Sequence, residues 1–485
     1  MREGARRLGD MPEVLTAQAP ALYRWRWAAL TALLVAEAMN LLDTTIVQVA
    51  APVIHGELGG PDANIQWFSA AYTLPFALLL IAGGRLGDIF GRKRVFRAGV
   101  AGFVLASLVC AFAGSAGMLI ASRAVQGAAA AFVIPQTFGL IRGMFDGHEL
   151  AKALGSIGPV MGLSAVMGPV LGGVLTHADL LGSSWRAVFV VNVPLGIAVL
   201  VAAPLLREDR AGERPRLDFG GLALAMLGTG LVVYPLIEGN SAGWPAWTWA
   251  ALAVGLGILA LFGLHQRGRT RRGRSPLVEA SLFRGRGFPA ALATSVLFFA
   301  VMNGLMLVIV LHLQVGLHAD VLDAGLTLLP WSCGLAVSSW VAGARLVPRF
   351  GSKVMFAGLG TLLAGMLGAI LVYTTHLPTA YPWPLLPALA VSGLGLGLFT
   401  VPFFTAALEQ VRPHETGSAA GLLNAVQQLG GTLGIAVLGS VFFAAATPIA
   451  GTRDAFWVAA GLLATTGVTG VLMTTGLKAG GEPAG

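Results

Sequence analysis

Runs of twenty or more largely apolar residues recur along the chain, separated by short breaks rich in Gly, Pro and charge. About 20 such residues make a helix long enough to cross a bilayer. Fourteen spans are predicted, near 27–50, 66–86, 95–113, 118–141, 151–177, 186–206, 217–237, 246–265, 288–315, 322–347, 354–375, 382–408, 416–443 and 453–475. An even number brings the chain back to the side on which it started. Of 31 Lys and Arg, 28 fall before the first span, after the last, or in the loops after spans two, four, six, eight, ten and twelve. The exceptions are Arg123, Arg186 and Arg453. The positive-inside rule places that basic side, with both termini, in the cytoplasm.

The first span departs from the pattern. Within Ala36–Pro52, Glu37, Asn40, Thr44 and Gln48 fall in one narrow stripe at 100° per residue, with Asp43 on its edge. The two carboxyls stand about 9 Å apart along the axis. A carboxylate at mid-membrane costs roughly 2.5–3.5 kcal/mol on insertion scales, so it is kept where it faces a protein interior or a wet cavity. Such an acid can bind and release protons. One acid alone reads equally well as a helix-end cap or a satisfied packing residue. Two acids with three amides or hydroxyls on one arc read as the wall of a transport cavity.

Glycine and charge recur at a fixed distance. GGRLGDIFGRK at 83–93 and GARLVPRFGSK at 343–353 lie 260 residues apart and match at six of eleven positions. Each follows the second span of a six-span block, which predicts a parallel repeat of six helices, a transporter architecture. The division is a segment 1–26, a six-helix bundle 27–206, an inserted pair with a basic loop 207–287, a second six-helix bundle 288–475 and a tail 476–485. Pro348 replaces Asp88 in the second copy, so the charge network belongs to the first half. Asp88 is expected to cap a neighbouring helix or to pair with Arg92 or another base.

Other polar residues lie inside apolar runs. Arg123 in the fourth span needs a partner, with Asp43 or Glu37 as candidates and Gln126 on the same face. The alternative is that Arg123 snorkels to the outer surface. The fifth span carries six glycines between Gly155 and Gly173 with Pro159 and Pro169, a nearly smooth surface on which a neighbour can pack closely and pivot. Glu238 ends the seventh span. Asn303, Asn424 and Gln428 line a cavity or bond helix to helix. His312 is read as a hydrogen-bonded or interfacial residue.

Composition narrows the class. The 485 residues are 56% hydrophobic and 11% charged, and no soluble domain of this size has that balance. The basic loops account for the net charge of +8, so no nucleic-acid partner is invoked. Cys110 and Cys333 both sit in apolar spans and read as packing residues. There is no GxxxxGK[ST], HExxH, GxSxG or paired His/Cys cluster, which predicts no cofactor, no metal and no enzyme.

Several stretches together resemble the major facilitator superfamily, specifically its fourteen-span drug:proton antiporters. LLDTTIVQVAAP at 41–52 is similar to that family's first-helix motif, and GGRLGDIFGRKR at 83–94 to its loop 2–3 motif. SRAVQGAAA at 122–130, GPVMGLSAVMGPVLGG at 158–173, WRAVFVVNVPLG at 185–196 and AAGLLNAVQQLGGTLGIAVLG at 419–439 resemble its helix-4, -5, -6 and -13 patterns. The resemblance implies an all-α membrane protein with two six-helix bundles, two inserted helices and alternating access in the bacterial cytoplasmic membrane. It implies a monomer that exports a lipophilic small molecule against protons. It makes Asp43 the coupling acid and Arg123 a proton-path residue, with Asn40, Thr44 and Gln126 in the substrate cavity. Gly84, Asp88, Gly91 and Arg92 become the cytoplasmic gate, and Gly158, Pro159, Gly168, Pro169 and Gly172 the pivot of exporters. Glu37 matches no motif position and stands as a cation-selectivity candidate beside Asp43; the two acids favour a cationic substrate. Gln427 stands where many relatives carry Arg. Export of an endogenous metabolite and proton-coupled uptake remain the alternatives.

Overall fold

The computed structural model describes residues 23–179, 182–208, 217–274, 276–283, 285–375, 383–409, 411–412 and 416–479. The predicted segment 1–26 falls mostly, and the tail 476–485 partly, outside the described residues. All described elements are helical, and fourteen helices are long and apolar enough to cross a membrane. They are α1 Arg26–Leu58, α2 Ala63–Phe90, α3 Arg92–Ala111, α4 Ala116–Met144, α5 Lys152–His177, α6 Ser184–Leu205, α7 Phe219–Glu238, α8 Ala246–Arg271, α9 Gly287–Gly316, α10 Val321–Phe350, α11 Lys353–Thr375, α12 Leu385–Glu409, α13 Ala419–Ala444 and α14 Pro448–Thr475. Every predicted span is present.

Local chemistry sets the helix ends. The Ser115 hydroxyl caps α4 by accepting from the Met118 amide at 3.3 Å. Gly91 ends α2 at φ +100° and Gly351 ends α10 at φ +56°, a backbone that glycine alone adopts cheaply. These two glycines are the same position of the 260-residue repeat, so the repeat is one of turn geometry as well as sequence. Pro348 follows a π-helical turn at Ala342–Leu346 that loosens the end of α10.

Small residues set the packing inside each half. In the first, Gly127 of α4 abuts the Tyr72 carbonyl of α2, and Gly83 of α2 abuts the Ala131 carbonyl. In the second, Gly393 of α12 abuts Trp331 of α10, and a Cβ at Gly334 would stand 2.7 Å from the Ala390 carbonyl. Likewise α1 meets α5 at Gly172 and α9 meets α13 at Gly304 and Gly434. Lipid offers helices no hydrophobic drive to associate, so close van der Waals approach at such positions holds them together. Cys110 is buried beneath Ser122, whereas Cys333 lies exposed on α10 rather than packed as expected. His312 is buried edge-on against Tyr373, and its Nδ1 has no hydrogen-bond partner among the described residues.

The halves meet mainly on the face away from the basic loops. There Gln314 donates to the Val49 carbonyl at 2.7 Å, His177 pairs with Asp320, and Gly173 lies against Val321. Toward the basic face α5 separates from the second half. Gly155, Gly158 and Gly162 have nothing within 4 Å of a Cβ position, and Gly158 and Pro159 are exposed. The cleft between the halves therefore opens on the basic face.

The inserted pair is pinned rather than loosely attached. α7 packs on α8, α2 and α13. Glu238 at its end accepts from Trp67 Nε1 of α2 at 2.7 Å. At its start the buried Asp218 caps the helix through the Gly221 amide at 2.9 Å and accepts from His265 and Gln266, each at 3.0 Å, and from Arg269 at 3.3 Å. Gln266 in turn accepts from the Leu277 amide at 2.7 Å. Arg85 of α2 donates to the Pro276 carbonyl, joining the knot to the loop that follows α8.

Burial alone would raise the Asp218 carboxyl, but the Gly221 amide, His265 and Gln266 outweigh it and hold the group below its ordinary value. A carboxyl depressed in the folded state contributes stability above its unfolded pKa of about 4, and that stability is lost as pH falls. Asp218→Ala is expected to destabilise the detergent-purified protein by about 1–3 kcal/mol, because it removes the cap and strands its donors. The difference in unfolding temperature between wild type and Asp218→Asn is expected to be full at neutral pH and to shrink below about pH 4.

Candidate functional site: a buried ion pair at the seam

Five helices converge on Asp43. Asp43 and Arg123 are 0% and 1% exposed, so neither reaches solvent or lipid. Arg123 and Gln126 are three residues apart and share one face of α4. The Arg123 Nη1 donates to Asp43 Oδ2 at 2.5 Å and to Gln126 Oε1 at 2.7 Å. Its Nε donates to the Phe68 carbonyl of α2 at 3.0 Å. The guanidinium carbon lies 4.3 Å from the centre of the Tyr72 ring and 5.8 Å from that of Phe189. Asp43 Oδ1 accepts from Gln126 Nε2 at 2.9 Å and from Asn192 Nδ2 of α6 at 2.7 Å. Gln126 also donates to Ser107 of α3 at 2.8 Å. Each charge is thus met by its counter-charge and by oriented dipoles, the condition under which a buried pair is tolerated.

The partner of Arg123 is Asp43, and the snorkelling alternative is excluded by its burial. Glu37 stands apart. It is 6% exposed, and its Oε1 has no hydrogen-bond partner among the described residues. Gln126 belongs to the ion-pair cluster and is fully buried. Its amide is drawn in because Asp43 and Arg123 need a donor and an acceptor at one point.

Asn40 is nearly buried and donates to the Tyr72 hydroxyl at 2.9 Å. Thr44 is half-buried and bonds back to the Asn40 carbonyl at 3.0 Å. Gln48 reaches across the seam to Asn303 at 3.5 Å, and Thr73 meets Thr432 across it at 2.7 Å. Asn424 and Gln428 are half-buried on α13. Sequence reasoning missed Tyr72, Ser107 and Asn192. Asn192 had a visible signal, a lone amide in the apolar run VFVVNVPLG; Tyr72 and Ser107 had none.

The loop 2–3 residues bind within the first half. Asp88 pairs with Arg92 at 3.0 Å, one helical turn on. Arg92 lies over Gly139, and Gly84 faces Pro135. The Lys93 amide donates to Glu208 at 3.1 Å, and a Cβ on Gly91 would stand 2.7 Å from that carboxylate. The helix-5 residues divide. Gly168 lies against Thr45, a Cβ on Gly172 would stand 3.0 Å from the Ile46 carbonyl, and the Pro169 carbonyl meets Gly325 of the second half. Gly158 and Pro159 are not brought to that contact.

Removing one member of a buried pair strands the other, at a cost of about 3–5 kcal/mol. Arg123→Ala and Asp43→Asn are each expected to lower stability, and the double variant by less than the two together. Denaturant titration of the four proteins measures the coupling, expected at roughly 1–3 kcal/mol. Additive losses would contradict a direct interaction.

Comparison with known proteins agrees with this architecture. The model of the family described as "Major Facilitator Superfamily" matches residues 33–435. The chain is 45% identical over 429 residues to a probable actinorhodin transporter of Streptomyces coelicolor, covering 88% of this chain and 74% of that protein. It is 36% identical over 420 residues to a puromycin resistance protein of Streptomyces alboniger, covering 86% and 82%. Among solved structures, a bacterial homologue of the human lysosomal transporter Spinster superposes with a TM-score of 0.67 at 18% identity, over 94% of this chain and 98% of that one. The chain, with its fourteen helices and its 260-residue repeat, belongs to the major facilitator superfamily of membrane transporters.

Proposed function

We propose that this protein exports lipophilic small molecules from the cytoplasm or inner leaflet in exchange for protons, as a monomer in a bacterial cytoplasmic membrane. The observation that carries the reading is the fully buried Asp43–Arg123 pair beside the seam between the halves. The names of relatives that carry or resist actinorhodin and puromycin support an antibiotic or drug as substrate. The basic loops support a cytoplasmic position for the open face of the cleft and for both termini.

Asp43 is the coupling acid. A proton that reaches it neutralises the carboxyl and releases Arg123, and the charge change biases the two arrangements of the halves. Return of Arg123 to Asp43 expels the proton. One proton crossing 100 mV and one pH unit carries about 3.7 kcal/mol, enough for a gradient of several hundredfold in an uncharged substrate. Protons are the only coupling species required. Glu37 is a second candidate carrier. Asn40 and Thr44 lie beside the pair, toward the substrate. Gly84, Asp88, Gly91 and Arg92 hold the cytoplasmic gate. When the halves rock, the bare surface at Gly158, Pro159 and Gly162 closes against the second half while Gly168, Pro169 and Gly172 form the pivot.

Proteoliposomes with an acid exterior test the coupling. Wild type is expected to move substrate uphill only with the pH gradient, and Asp43→Asn to lose that movement; Glu37→Gln beside it tells which acid carries the proton. Uphill movement retained by Asp43→Asn at normal rate would sink the assignment, and movement of substrate with the proton would make the protein a symporter. A second test uses the open glycine. Gly158→Leu is expected to change stability by less than about 0.5 kcal/mol, since nothing lies within 4 Å of it. It is expected to slow transport at least tenfold, a barrier increase of about 1.4 kcal/mol, by blocking closure.

A further inference from the structure

The charged groups at membrane depth are withheld from the cleft. Glu37, Asp43 and Arg123 are 6%, 0% and 1% exposed. Asp43 and Arg123 also cancel each other. Between their ends α9, α11, α12 and α13 carry no Asp, Glu, Lys or Arg. α5 has Lys152 only at its start, and α10 has Asp323, Arg345 and Arg349 only near its two ends.

Carboxamides occupy the place that charge vacates. On α13, Gly430 and Gly434 lie against Val296 and Ala300 of α9. Ala425, Thr432 and Gly439 lie against α2, and Leu433 packs with Val233 and Ile237 of α7. At 100° per residue Asn424, Gln428 and Gly431 fall between the α9 and α2 faces, on the side turned away from α7. Gly431 meets Asn303 there, and Asn303 reaches Gln48 of α1 across the seam. Thr44, Asn303, Asn424 and Gln428 are all half-buried, in contrast to the three charged groups. A carboxamide both donates and accepts, and attracts no ion strongly.

Building on the export reading above, we infer that the cleft selects uncharged lipophilic molecules bearing several carbonyl and hydroxyl groups, with Asn303, Asn424 and Gln428 as the recognising side chains. Among the described residues the membrane-depth carboxyls of Glu37 and Asp43 are buried, so neither is presented to a permanent cation to offset the loss of its water. The expectation of a cationic substrate, drawn from Glu37 and Asp43, is replaced by this one.

The test uses three probes on one aromatic scaffold: an uncharged member with hydroxyl and carbonyl groups, a quaternary ammonium member and a sulfonate member. Binding to the full-length purified protein is read by equilibrium dialysis, and movement in proteoliposomes under a pH gradient. The uncharged member is expected to bind and move, and the other two to bind at least tenfold more weakly. Asn424→Leu and Gln428→Leu are expected to weaken binding of the uncharged member about tenfold. Asn424→Asp, which places a carboxylate on the arc, is expected to bring in the quaternary ammonium; it also shows that the position tolerates change. Equal binding of the ammonium member by wild type overturns the inference and leaves export intact. Binding of the uncharged member that depends on Asn424, without movement under the gradient, overturns export and leaves recognition intact. No binding of the uncharged member overturns the inference outright.

Discussion

Everything near the centre of this protein answers to the cost of holding Asp43 and Arg123 away from water. Two opposite charges in a medium of low dielectric attract strongly, but only after each has lost its hydration. The chain meets that loss with the Gln126 and Asn192 amides, the Phe68 carbonyl and the Tyr72 ring, drawn from three helices around α1. These helices must come close enough for short side chains to reach. The glycines at 83 and 127 permit that approach, so the electrostatic centre and the small-residue packing are one design rather than two.

The same constraint makes the pair suited to control. A fully satisfied ion pair has two discrete states, formed and broken, with little between them, because partial separation leaves both charges stranded. A proton is the smallest ligand that can relieve one side. The second half has Gly351 at the place of Gly91 but Pro348 at the place of Asp88, so it keeps the turn and lacks the carboxylate. The buried Asp–Arg pair belongs to the first half, and across the seam from it the second presents hydroxyls and amides.

Much of this was legible in the sequence, for physical reasons. Bilayer thickness fixes helix length, so fourteen spans could be counted from apolar runs. Arg123 demanded a partner, and Asp43 was one of two candidates on the first span. What stayed hidden depends on rotation and reach. Glu37 and Asp43 differ by less than two turns of α1, yet one meets Arg123 and the other does not, and no periodicity distinguishes them. Gln126 and Asn424 look alike in sequence as amides in apolar runs, but one is consumed by the ion pair while the other is half-buried at the seam. Asp218 lay at the very start of a predicted span and carried no motif, so its knot with His265, Gln266 and Arg269 could be seen only in three dimensions.

The position of α7 has a further consequence. It lies across the line where α2 meets α13, bonded to one through Trp67 and to the other through Ser440, which donates to the Leu236 carbonyl. One flank of the molecule is therefore pinned by the inserted helix toward the end away from the basic loops, whereas the flank between α5 and α10 has no such helix across it. The two flanks of the cleft are therefore unlike, and the two inserted helices give the transporter a front and a back.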